Sequence, residues 1–173
     1  KINIEKNIGL LSLDIDGNDY WIWKEINKIS PDIFVCEYNS VFGDLNEISV
    51  LYKDNFNRTK AHYSNLVYGA SINAMIKLGK KKGYEFIGTN SNGINAYFVK
   101  KKYLKKLNKK IKLKKKYSSI IKESRDLDGT KSFISGTDRY ALIKNIKVLD
   151  LKDKKIKKLT KFKKIYSKDW QTK

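Results

Sequence analysis

Residues 10–23 read LLSLDIDGNDYWIW, and the fold follows from them. Leu10, Leu11 and Leu13 make a short apolar run that ends in the carboxylates of Asp14 and Asp16. That is the pattern of a buried parallel strand whose C-terminal end opens into a site. Gly17 breaks the strand, and Asn18 or Asp19 can cap a helix reaching about residue 29, with Tyr20, Trp23, Ile26 and Ile29 near helical spacing. Ser30-Pro31 stops that helix, because proline disfavours helical geometry in the residue before it. Asp32 to Tyr38 (DIFVCEY) then reads as a second buried strand, again carrying an acid at its end, Glu37. Strand, helix and strand in so short a span predict a βαβ unit with its two strands adjacent and parallel.

Residues 39–68 are polar and aromatic without a clear period, and they read as one long loop of the kind that forms a lid or binding loop. Gly69 to Lys82 has the next helical pattern, with Ile72, Met75, Ile76 and Leu78 on its apolar side and lysines where the helix dipole is negative. Tyr84–Thr89 and Ile94–Val99 are strand-like runs separated by Asn90-Ser91-Asn92-Gly93, a hairpin signal. The core is therefore α/β in the order β-α-β-α-β-β, a partial sheet ending in an antiparallel hairpin. After Lys100 the character changes. Residues 101–116 are nearly all lysine around Leu104, Leu107, Ile111 and Leu113, predicting a basic helix. Residues 117–136 read as loop, 137–147 as a helical turn or two, and 148–156 as a small hairpin. The organisation predicted is an α/β unit over 1–100 and a lysine-rich extension over 101–173.

With 40% hydrophobic and 12% aromatic residues, 173 residues can bury a core, which excludes wholesale disorder. A single cysteine, Cys36, excludes a disulfide framework and a cysteine-based zinc site. No apolar run approaches bilayer-spanning length and no signal-peptide pattern opens the chain, so a cytoplasmic protein without membrane contact is expected. The net charge of +20 is uneven: residues 1–99 hold 11 basic and 11 acidic residues, so the excess lies beyond them. Of the 38 basic residues only Arg58, Arg125 and Arg139 are arginine. Base readout and phosphate forks favour arginine, so nucleic acid is an unfavoured partner.

The acids carry the chemistry. Asp14, Asp16, Asn18 and Glu25 fall at positions 1, 3, 5 and 12 of a calcium-loop count. Position 6, however, is Asp19 where glycine is needed, and a strand precedes the loop where such a loop has a helix. Strand-end acids facing a ligand crevice fit better. If the two strands are adjacent, Asp14, Asp16 and Glu37 come together, able to hold a divalent cation or to position an acceptor hydroxyl. His62, the only histidine, is a candidate base from the loop. Cys36, among apolar strand neighbours, reads as inert packing.

LSLDIDGNDYWIW (11–23), PDIFVCEYNS (31–40) and GASINAMIKLGKKKGYEFIGTNSNGINAYFV (69–99) together resemble FkbM-like S-adenosylmethionine-dependent methyltransferases. The resemblance covers about residues 8–100. It implies a Rossmann-like, class I methyltransferase sheet, of which this chain carries the fourth and fifth strands and the closing sixth–seventh hairpin. It also implies that Asp16, Gly17 and Asn18 face S-adenosylmethionine, and that Asp19, Tyr38, Asn39 and Tyr68 face the acceptor. That acceptor would be a small molecule or sugar methylated on oxygen or nitrogen. The family's Gly-rich cofactor loop has no counterpart in these residues. A C-terminal portion of a longer enzyme, or a relative that kept the scaffold and lost the activity, is therefore expected. The alternatives are a non-catalytic dimerisation or partner-binding module and a polyanion binder acting through the basic region. The outer edge of the first strand, rich in leucine, is expected either to form a homodimer or to be covered by the C-terminal region.

Overall fold

In the computed structural model the described residues are 7–107 and 115–170. Two strands, β1 (Asn7–Leu13) and β2 (Ser30–Glu37), run parallel, with Leu11 opposite Phe34 and Leu13 opposite Cys36. They are joined by α1 (Asp19–Glu25). This helix is shorter than its apolar spacing predicts. Ile26 leaves helical geometry, and the ammonium of Lys82 donates to the carbonyls of Lys24 and Ile26, satisfying the open end of the helix from outside. Freed from the helix, Ser30 and Pro31 begin the strand, a position where a missing N–H is tolerated.

The segment expected to be one long loop carries structure of its own, and it is buried at 39–44, 48–50, 64 and 66–68. It contains a 3₁₀ turn at Ser40–Phe42, the two-residue strand β3 (Ile48–Ser49) and α2 (Arg58–Ala61). Then come α3 (Ile72–Lys81), capped at its start by the Ser71 hydroxyl, and the hairpin of β4 (Tyr84–Thr89) and β5 (Asn95–Lys100). The hairpin folds so that β5 lies between β2 and β4, antiparallel to both. The resulting four-stranded mixed sheet has the order β1-β2-β5-β4. Among the described residues no strand pairs with the outer edge of β1, where Leu10 is 57% exposed.

Helices α1 and α3 pack on one face of this sheet. Trp23 stacks on Phe34 at 4.2 Å between ring centroids and tilts against Phe98, with Met75, Ile72 and Leu78 filling the space around them. Each such side chain contributes about 1.5–3 kcal/mol by leaving water. Cys36 is fully buried here, and burial pushes its thiol well up, consistent with packing.

Beyond β5 a short 3₁₀ turn over 101–103 continues into the single helical turn α4 (Leu104–Leu107); residues 108–114 of the predicted basic helix lie outside the described residues. Lys115 and Lys116 are not helical. The loop at 117–136 is irregular, as its turn residues predict, and α5 (Asp138–Ile143) and the hairpin of β6 (Lys147–Asp150) and β7 (Lys155–Lys158) follow. The unforeseen feature is where this hairpin goes. β6 pairs antiparallel with β3, Ile48 opposite Asp150 and Ser49 opposite Leu149, making a three-stranded antiparallel sheet of order β3-β6-β7. Around it Val41, Phe42, Ile48, Val50, Leu66 and Val67 form one apolar cluster with Ile143, Val148, Leu159 and Ile165. The chain is thus mixed α/β, and its second core straddles residue 100. Among the described residues no helix is long and apolar enough to cross a membrane.

Candidate carboxylate site at the parallel strand ends

Because β1 and β2 are parallel with Leu13 opposite Cys36, the next residues along, Asp14 just past β1 and Glu37 at the end of β2, arrive level with each other. Asp14, Asp16 and Glu37 each offer one carboxylate oxygen, and these oxygens lie within 4.8 Å of one another. The turn that brings Asp16 back to this point is held by Asp19. Its buried carboxylate accepts from the backbone N–H of Ile15 at 3.1 Å and of Gly17 at 3.0 Å. Asp16 itself has φ +54°, a left-handed conformation that aspartate tolerates better than most residues. Asp19 therefore shapes the site with both oxygens engaged in the turn.

Glu37 is the most constrained member. It is 6% exposed, and its Oε2 is buried without a hydrogen-bond partner. Burial, reinforced by the neighbouring Asp14, pushes its carboxyl up to about 9, so it holds its proton at neutral pH. Asp14 is raised for the same two reasons, burial first and then the charge of Asp16.

Opposite the acids stands Arg58, at the start of α2. Its guanidinium donates to Asp16 Oδ1 at 2.8 Å, to Glu123 Oε1 at 2.5 Å and to the Asn65 carbonyl at 2.7 Å, and it lies 3.8 Å over the Tyr68 ring. Burial opposes its charge, but Tyr68, Glu123 and Asp16 outweigh that and keep it protonated. Arg58 and Glu123 were invisible as site residues in the sequence. The available signal was that Arg58 is one of only three arginines in a lysine-rich chain. A polar cavity of about 300 Å³ opens beside this group, lined by Ile15, Asp16, Phe56, Asn57, Arg58, Thr59 and Asn65.

The remaining predicted residues are mostly occupied by the protein itself. Asn39 is fully buried; its amide donates to the carbonyls of Leu66 and Tyr68 and its oxygen accepts from Val41 N–H. The Tyr38 hydroxyl donates to the Tyr117 carbonyl, and its ionisation is pushed up by burial. Tyr68 is buried beneath Arg58. His62 follows α2, with Nδ1 bonded to the Ser64 hydroxyl at 2.8 Å; burial lowers its pKa, and it does not join the carboxylate cluster.

The residues expected to face the methyl donor have contacts within the chain. A Cβ on Gly17 would lie 2.1 Å from Phe56 Cδ1, so the space bared by this glycine is filled by an aromatic ring. The Asn18 amide donates to the Lys53 carbonyl at 2.8 Å, and Asp16 is held by Arg58. Glu25, the twelfth position of the calcium-loop count, ends α1 as an exposed residue and is not in the cluster. No protein-family model, curated protein or solved structure matches the chain.

Proposed function

We propose that the chain is the acceptor-binding half of a Rossmann-like, FkbM-type methyltransferase, presenting a small molecule or sugar for methylation on oxygen or nitrogen. One observation carries it: the ends of two adjacent parallel strands bring Asp14, Asp16 and Glu37 within 4.8 Å. The sheet order, a parallel pair extended by a closing antiparallel hairpin, agrees with the fourth and fifth strands and the final hairpin that the resemblance implies.

In such a site protonated Glu37 donates a hydrogen bond to an acceptor oxygen. Asp14, exposed and ionisable nearer to neutrality than an ordinary aspartate, takes up the acceptor's proton. Arg58 fixes Asp16, and the polar wall of Asn57, Thr59 and Asn65 suits a hydroxylated acceptor. The methyl donor is not assigned to Gly17, whose space Phe56 fills, nor to Asn18, whose amide N–H is given to the Lys53 carbonyl while its Oδ1 is buried without a partner. That occupation favours the second reading, a non-catalytic partner-binding module on the same scaffold.

An NMR titration separates the two. Hydroxylated acceptors such as monosaccharides should shift the backbone amides of Asp14, Asp16 and Arg58, while S-adenosylmethionine shifts Gly17 and Asn18 weakly or not at all. Micromolar donor binding at Gly17 and Asn18 would place the donor site where we exclude it. If no acceptor moves the strand-end amides, the non-catalytic module stands.

A further inference from the structure

From the Asp14, Asp16 and Glu37 oxygens and the unpartnered, buried Oε2 of Glu37, we infer that the strand ends form a binding site for a hard divalent cation of the magnesium, manganese or calcium class. This inference does not depend on methyl transfer and holds equally for a non-catalytic module; on binding the ion Glu37 releases its proton to solvent and ligates in place of donating a hydrogen bond.

Three carboxylates alone would be only an acidic cluster. What separates this one is Glu37. A buried polar atom left without a partner costs about 1–3 kcal/mol, and native proteins rarely leave one without a reason. Glu37 is 94% withdrawn from solvent by its 6% exposure, yet its Oε2 meets no donor and its carboxylate neighbours are two more acids. A cation supplies the partner that Glu37 lacks, and Asp16 keeps one oxygen beyond its bond to Arg58 to offer it. The donor set is all oxygen, which selects hard divalent ions over zinc or copper. The separation also suits such an ion. Oxygens facing each other across magnesium or manganese stand about 4.2 Å apart, and across calcium about 4.6–5.2 Å. All three oxygens lie within 4.8 Å of one another, inside the span that a calcium ion bridges and within a small inward shift of that for magnesium or manganese.

The surroundings allow it as well. Asp14 and Asp16 are exposed, so an ion has an entry path and room for water ligands. Arg58 is committed to one oxygen of Asp16, to Glu123 and to the Asn65 carbonyl, and does not bond Glu37 or Asp14. The turn is fixed independently of any ion by Asp19, so the ligands are held in place before binding.

Manganese tests this directly. Titration of the chelator-treated chain with Mn²⁺, followed by electron paramagnetic resonance and by paramagnetic broadening of amide signals, should give one saturable site. Broadening should centre on residues 14–16 and 37. Calcium and magnesium should compete for it. Asp14→Asn, a change at an exposed side chain, should weaken Mn²⁺ binding about tenfold or more, and Glu37→Gln should do the same while retaining the native circular dichroism spectrum. Saturable Mn²⁺ binding broadened elsewhere, affinity unchanged by Asp14→Asn, or no binding at millimolar Mn²⁺ would each overturn the inference.

Discussion

Glu37 and Arg58 set the character of the strand ends, and each makes a measurable demand. Glu37 binds a proton in the folded chain up to about pH 9, whereas in the unfolded chain it is lost near its ordinary value of 4.5. The folded state therefore holds the extra proton across that window, and stability falls as pH rises through it. The contribution is fully present below pH 4.5 and gone above 9. Urea unfolding of the chelated protein from pH 5 to 9 should show this decline, and Glu37→Gln should flatten it. A decline unchanged in the variant would assign it to other groups. For Arg58, replacement by lysine keeps the charge but loses the fork that spans Asp16 and Glu123 and the flat contact with Tyr68. Arg58→Lys should cost roughly 1–3 kcal/mol in denaturant unfolding, and a loss below a few tenths would show the bridge to be incidental. Asp14, Asp16 and Glu37 were legible in the sequence because adjacent parallel strands in register must deliver their ends to one place. Arg58 and Glu123 were not, since they come from segments with no period, and only the folded chain brings them together.

At the scale of elements, the hydrophobic pattern located β1, β2, α3 and the β4–β5 hairpin to within a few residues. It misjudged the length of α1, because the group that ends it, Lys82, lies far along the chain. It also missed β3, which is two residues long and has no alternation to read. A β-turn signal was read correctly for a different reason than conformation alone. Gly93 has φ +71°, and a Cβ there would meet the Ser118 backbone at 2.3 Å. The glycine thus also lets the segment after the lysine-rich stretch lie against the hairpin, where Ile120 N–H bonds the Asn92 carbonyl. Gly93→Ala combines a disfavoured backbone with a collision against a main chain, and should cost about 1–3 kcal/mol or more. Thermal unfolding measures it. A neutral result would mean that the 115–120 segment is free to move away.

For the whole molecule, the division predicted at residue 100 meets a core that spans it. Ile48, Val50, Leu66 and Val67 share their apolar cluster with Ile143, Val148, Leu159 and Ile165, and Trp170 reaches the first core, donating from its ring N–H to the Ser40 carbonyl. Composition hid this, because lysines on exposed strand positions mask the few buried ones that matter: in β7 only one of four residues is even half-buried. Cutting the chain after Lys100 should strip the partners from β3 and expose that cluster. The shortened protein should melt without a cooperative transition and bind a hydrophobic dye. A sharp, unchanged transition would show the first sheet to be self-sufficient.

The pairing of β3 with β6 also fixes an order of events in time. All four strands of the first sheet have left the ribosome once Lys100 has, but β3 must wait for Asp150 before its edge is met. Until then Ile48 and Val50 travel with a nascent chain that can protect its first core and not its second. Pairings so distant in sequence are slow to close, and apolar groups exposed in the interval invite association with other chains. Refolding from denaturant should accordingly be biphasic, with Trp23 fluorescence, reporting the first core, recovering before amide protection appears at Leu149 and at Leu151, whose N–H bonds the Glu47 carbonyl beside β3. Simultaneous recovery would mean that the two sheets nucleate together.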